Sequence, residues 1–176
     1  MKLRYLILLS VLILSGCASR QPALLSGQSL EGSPIYLNSR DNIPAAVKKF
    51  SNERDLTTEE GKIDYLFDRI KNSKLTFIRN KVEYDSDSAA KFIRWKLNRW
   101  RGKGSKITTA QQFVSEVTSG SKMSGEPYTV ILHDGTRHNL QPVLQNELNA
   151  LEQCLQQYPS DAATKPNLSS EPAPVV

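Results

Sequence analysis

The chain has 176 residues, with 23 Lys and Arg against 18 Asp and Glu, 39% apolar residues, nine Gly, nine Pro and two Cys. That is one domain's worth of chain, too apolar for a wholly disordered protein and too short for a multidomain enzyme. Two cysteines exclude a disulfide-dense scaffold, and a formal charge of +5 is far below that of a dedicated nucleic-acid binder, so no nucleic acid is expected as a partner.

Lys2 and Arg4 precede an apolar run from Tyr5 to Leu14. The run is shorter than the roughly 20 apolar residues that span a bilayer, and it reads as the core of a secretory signal peptide over residues 1–16. It closes on Leu14-Ser15-Gly16-Cys17, which resembles the lipobox of bacterial lipoproteins. Small residues there fit a signal peptidase, and the Cys17 thiol is placed to receive diacylglycerol, so lipidation with palmitate-type chains is expected at Cys17. Loss of Lys2 and Arg4 on cleavage lowers the formal charge from +5 to +3. In the lipoproteins this resembles, an Asp after the lipidated Cys commonly retains the protein in the inner membrane. Ala18 stands there, which points to the periplasmic face of the outer membrane. Cys154 is then left without a partner within the chain.

Residues 17–42 are polar, rich in Ser, Gly and Pro, and without apolar period, and they predict a flexible tether. Residues 43–158 form the predicted globular domain, its core elements beginning near Thr57. Thr57 with Glu60 fits a capping box, and Ile63, Leu66, Phe67 and Ile70 then share one side of a first helix. Leu75 to Arg79 and Val82 to Tyr84 predict a hairpin turning at Asn80-Lys81. Asp85 or Ser86 caps a second helix that gathers Ala89, Phe92, Ile93, Leu97 and Trp100, and Thr109 with Gln112 caps a third that buries Ala110, Phe113 and Val117. Tyr128 to Leu132 and Thr136 to Leu140 predict a second hairpin around a two-residue turn at Asp134-Gly135, which sets His138 opposite Ile131. Pro142 opens a last helix with a stripe of Leu144, Leu148, Leu151 and Leu155. The expected fold is therefore a compact α+β domain of about four helices and two short antiparallel β-hairpins. Residues 159–176, with Pro159, Pro166, Pro172 and Pro174, predict a disordered tail.

Several segments in order carry a resemblance: Phe77-Ile78-Arg79-Asn80 before a hairpin, Ala89-Ala90 opening a helix, Thr109-Ala110-Gln111-Gln112-Phe113-Val114, and Ser124-Gly125-Glu126-Pro127-Tyr128 before a strand. Over roughly residues 57–155 the chain resembles the YfeK-like family of small bacterial envelope proteins of unknown function. That family often has Asn-Gly where this chain has Asn80-Lys81. The resemblance implies an envelope location and carries over no catalytic or ligand-binding residue.

No nucleophile elbow, zinc-helix, phosphate-loop or paired-cysteine motif occurs, so neither a catalytic set, nor a metal, nor another cofactor is expected. His133 and His138 flank the second turn without facing each other and read as surface histidines, and Ser124 sits in a turn with no base identifiable by spacing. The distinctive feature is a run of cations, Lys91, Arg94, Lys96, Arg99, Arg101, Lys103 and Lys106, with no acidic residue between Ser88 and Ser115. Trp95 falls away from the Phe92, Ile93 and Trp100 side, between Lys91 and Arg99. Lys91, Arg94, Trp95, Arg99, Arg101, Lys103 and Lys106 thus form a candidate patch for an anionic envelope protein or lipid phosphate. The reading is a non-catalytic binding or adaptor module held to the membrane by its lipid. The alternatives are an inhibitor or immunity-type lipoprotein with an acidic partner, and an envelope hydrolase whose site is too scattered to read from one sequence.

Overall fold

The computed structural model describes residues 23–157. The lipobox, Cys17, the start of the expected tether and the Pro-rich tail lie outside the described residues. The elements run in the order β1 (Leu24–Leu25), α1 (Ile43–Ser51), α2 (Glu59–Asn72), β2 (Thr76–Arg79), β3 (Val82–Tyr84), α3 (Ser86–Gly102), α4 (Ala110–Gln112), β4 (Thr129–Ile131), β5 (Arg137–Asn139) and α5 (Leu140–Gln157). The class is α+β, as expected, but with five helices among the described residues. The two hairpins are not separate. They join through β2 and β4 into one five-stranded sheet of order β1-β5-β4-β2-β3, antiparallel except where β1 lies parallel to β5.

The caps explain most element starts. Asp85 accepts from the Ser88 N–H, and Thr109 with Gln112 makes a complete capping box. The box expected at Thr57 with Glu60 does not form: the cap is Thr58, whose Oγ1 accepts from Gly61 N, a residue with no side chain to return the bond, while Thr57 is engaged by the Asp55 carboxylate. A glycine is required at 61, because a Cβ there would lie 2.0 Å from the Asp55 carbonyl oxygen. The third predicted helix is short, and its second turn, Phe113–Val117, winds as a π-helix with Phe113, Val114 and Val117 buried. α1, absent from the sequence reading, starts with Pro44 in its first turn and buries Ile43 and Val47.

The hairpins separate a correct expectation from a wrong one. Asn80 and Lys81 both take positive φ, 49° and 65°, which makes the first turn type I′ despite the lack of a glycine. The second loop has three residues rather than two: Leu132 N donates to Thr136 O at 2.9 Å, closing His133-Asp134-Gly135 with Gly135 at φ 83°. That single added residue places His138 opposite Val130, not Ile131. A one-residue shift exchanges the faces of a strand, so His138 joins Phe77 and Val130 on the core side and is 1% exposed. It is not a surface histidine.

This buried imidazole accepts from Gly27 N at Nδ1, at 3.2 Å, and so helps to hold the segment expected to be a tether. Residues 24–42 are folded onto α5: Asn146 Nδ2 donates to the carbonyls of Gly27 and Ile35 at 2.7 and 2.9 Å, and Glu147 Oε1 accepts from Leu37 N at 2.8 Å. Leu37 is buried in the core. Glu147, itself fully buried, also receives both Nε and Nη2 of Arg69 at 2.9 and 3.1 Å. The strap's local composition hides this arrangement because its partners lie about a hundred residues further along the chain. Elsewhere the core follows the predicted faces, with Ile63, Leu66, Ile70, Ile93, Leu97, Leu144, Leu148 and Leu151 nearly or fully buried.

Candidate binding face

The structure divides the predicted cation patch. Lys91 pairs with Asp87 one turn back, Arg94 with Asp64 at 2.9 Å, and Arg101 holds both carboxylate oxygens of Glu60 at 3.2 and 2.9 Å. Arg94 also lies over the Phe67 ring at 4.0 Å, and Arg101 Nε donates to Ile107 O. These three cations fasten α3 to α2 or line the mixed-charge groove of about 430 Å³ that contains Asp64, Asp68 and Asp87. Lys103 and Lys106 are exposed beyond the end of α3.

Trp95 and Arg99 belong to a different side of α3. Helical rotation of about 100° per residue places Trp95, Arg99, Phe92, Lys96 and Trp100 within an arc of about 140°. Trp95 is 54% exposed. Its ring is 5.7 Å from that of Phe92, with the Arg99 guanidinium over it at 5.4 Å. Phe92 carries Arg79 of β2 over its face at 3.9 Å and meets Tyr128 edge-on at 5.9 Å. Lys122 sits over Trp100 at 4.0 Å. Four aromatic rings are thus interleaved with Arg79, Lys96, Arg99 and Lys122, each contact of the cation–π type. Among the described residues, none of these four cations forms an ion pair with a carboxylate.

Lys96 is the structural centre of this face. Its ammonium donates to the carbonyls of Val117 and Gly120, both at 2.6 Å, so it caps the end of the π turn with a positive charge. Burial, then the fields of Lys122 and Arg79, push its pKa down to about 8. A buried cation that is repelled by two neighbours and answered by no carboxylate marks a region of positive potential. Arg79 adds to it, with a buried Nε lacking any hydrogen-bond partner among the described residues. Arg79, Phe92 and Tyr128 also border a cavity of about 60 Å³ between α3 and the sheet. That volume is well below the few hundred Å³ that enclose a metabolite.

Sequence reasoning found Trp95 and Arg99 from helical spacing. It missed Arg79, Lys122 and Tyr128, which other elements bring in. The available signal was modest: Met123, an apolar residue within the polar loop Ser119-Gly120-Ser121-Lys122-Met123-Ser124, is 99% exposed. Of the other candidates, His138 is absorbed by the core, and Ser124 Oγ donates to Asn80 Oδ1 at 2.9 Å. Among the described residues no group of three or more His, Cys, Asp or Glu is placed to hold a metal ion, and no helix is long and apolar enough to cross a membrane. Cys154 is half-buried, with its thiol pKa raised by burial.

Comparison with known proteins places these features in a family without assigned chemistry. The profile of a family of unknown function, DUF5329, matches residues 57–152. The chain is 35% identical over 71 residues, 40% of its length, to the uncharacterized protein YfeK of Salmonella typhimurium, and it spans 57% of that relative. No solved structure matches. The matched segment runs from the turn before α2 into α5 and includes the whole of α3 and its cations, so the chain belongs to the DUF5329 family.

Proposed function

We propose that this protein is a lipid-anchored, non-catalytic binding module of the periplasmic face of the outer membrane, docking an anionic envelope partner through the outer side of α3. The observation that carries the reading is the interleaving of Arg79, Arg99 and Lys122 with Phe92, Trp95 and Trp100 in the absence of ion-paired carboxylates among the described residues. Fold stability does not call for such an arrangement, since unopposed cations repel one another. An anion seated among them removes that repulsion, and the half-exposed Trp95 supplies desolvated contact area.

The patch of the proposal is narrower than the sequence indicated. Lys91, Arg94 and Arg101 are already answered by Asp87, Asp64 and Glu60. Lys103 and Lys106 extend the positive field at the C-terminal end of α3. The lipobox supports the anchor, and Cys17→Ser is expected to abolish fatty-acid incorporation into the chain.

A photoreactive group at position 95, activated in intact envelopes, tests the docking face. A discrete adduct is expected, strongly reduced by Arg99→Glu with Lys122→Glu. An adduct unchanged by that double reversal places the binding surface elsewhere.

A further inference from the structure

We propose that the partner of this face is the anionic phospholipid bilayer itself, its phosphates received by Arg79, Arg99 and Lys122 while Trp95, Val82 and Met123 enter the headgroup region. The proposal rests on the binding-module reading and names the partner for it.

Three observations converge. The first is where the exposed large apolar side chains lie. Val82, Trp95 and Met123 are 52%, 54% and 99% exposed, while Leu24 at 47% and Leu30 at 90% lie elsewhere, on β1 and in the strap. The first three are grouped around the β2–β3 hairpin end, whereas β1 is the opposite edge strand of the sheet. Val82 pairs with Arg79 across that hairpin, and Arg79 covers Phe92, the neighbour of Trp95. Met123 is in the loop that Ser124 fastens to Asn80 at the hairpin tip. Isolated exposed apolar residues need no explanation, but a group of them rimmed by cations marks an interaction surface.

The second is shape. Met123 and Trp95 stand out from the surface, and the cavity beside them holds only about 60 Å³, so the face offers protrusions rather than a groove to receive a partner's side chain. Protruding Trp and aliphatic side chains ringed by Lys and Arg suit the bilayer interface, where aromatic rings sit at headgroup level and each cation contributes about 1 kcal/mol near an anionic surface.

The third is reach. Because the strap is folded from Leu24 onward, six residues, 18–23, separate it from Cys17. Even fully extended they span at most about 25 Å. β1 is the edge strand opposite β3, four strand spacings or about 19 Å away, so an acylated Cys17 on this leash keeps the bilayer within reach of the α3 face. Glu126 lies in this region and is answered by Lys81 at 3.8 Å.

The acylated full-length chain, reconstituted in vesicles, tests the proposal. The lipids are phosphatidylcholine alone or mixed with phosphatidylglycerol, each with brominated acyl chains that quench tryptophan at short range. Quenching is expected to be stronger in the anionic vesicles, to fall with added salt, and to lose its dependence on lipid charge in Trp95→Phe. Arg99→Gln with Lys122→Gln should weaken docking roughly 30-fold, at about fivefold per cation. Equal quenching in neutral and anionic vesicles overturns the proposal, as does quenching that the double substitution leaves unchanged. If that happens while the position-95 adduct in envelopes remains sensitive to Arg99 and Lys122, the partner is an acidic protein and the binding-module reading stands. If the chain does not float with neutral vesicles, the anchor reading fails, and flotation with anionic vesicles alone then decides the lipid proposal.

Discussion

Replacing Glu147 by alanine tests how the strap is held. The Glu147 carboxylate is fully buried and accepts three hydrogen bonds, from Arg69 Nε at 2.9 Å, Arg69 Nη2 at 3.1 Å and Leu37 N at 2.8 Å. Arg69 is itself 5% exposed. Its guanidinium would stay charged in the variant, buried without a counter-ion, a situation that costs about 3–5 kcal/mol. The orphaned Leu37 N–H adds about 1–3 kcal/mol if water does not reach it. The two groups share one partner, so their costs are not additive, and a loss of about 4–6 kcal/mol is expected in urea unfolding. For a domain whose whole stability is of order 5–15 kcal/mol, that is a large fraction. Amide exchange at Leu37 should accelerate more than exchange in α3, because the strap loses its attachment first. Glu147→Leu combined with Arg69→Met should recover most of the loss, since the damage lies in the uncompensated charge and not in missing attraction. A cost below about 1 kcal/mol for Glu147→Ala, with Leu37 exchange unchanged, would refute the argument that this carboxylate ties strap, α2 and α5 together.

Other perturbations follow from single observations. Gly61→Ala should destabilise by about 3 kcal/mol or more in the same unfolding assay, because its Cβ would lie 2.0 Å from a backbone oxygen that has no room to yield. Lys81→Gly should stabilise by about 0.5–1 kcal/mol, relieving a left-handed φ of 65° at the expense of a 3.8 Å surface ion pair of little worth; a loss of stability would contradict the strain. Lys96 has its pKa depressed to about 8 in the native state, so between about pH 8 and the unfolded value near 10.5 the unfolded chain binds more protons. Its contribution must therefore raise stability with pH across that window, by at most about 1.4 kcal/mol per pH unit. Subtracting the profile of Lys96→Met from that of the parent should isolate this slope, and a flat difference would mean the ammonium is not desolvated.

Local chemistry alone located α2, α3, α5 and both hairpins, because their signals act over a few residues: the Asp85 and Thr109 caps, the leucine spacing of α5, and the turn residues at Asn80-Lys81 and Asp134-Gly135. The same reasoning found Trp95 and Arg99, since angular position on a helix is a property of the sequence. Tertiary structure decided the rest. Whether a strand's histidine faces core or solvent turned on one residue of loop length, which pairing across β4 and β5 settled. Residues 24–42 have the composition of a linker, and it is the pairing of β1 with β5 and the side chains of Asn146, Glu147 and His138, more than a hundred residues away, that give their backbone partners and make them part of the fold. The cations of α3 likewise look alike in the sequence; α2 supplies carboxylates to one side of the helix, and β2 and the Lys122 loop bring more cations to the other. Charge on a side chain is written in the sequence, but whether that charge is answered depends on what the fold sets within a few ångströms of it, because screening by water and salt leaves little of the field beyond that range.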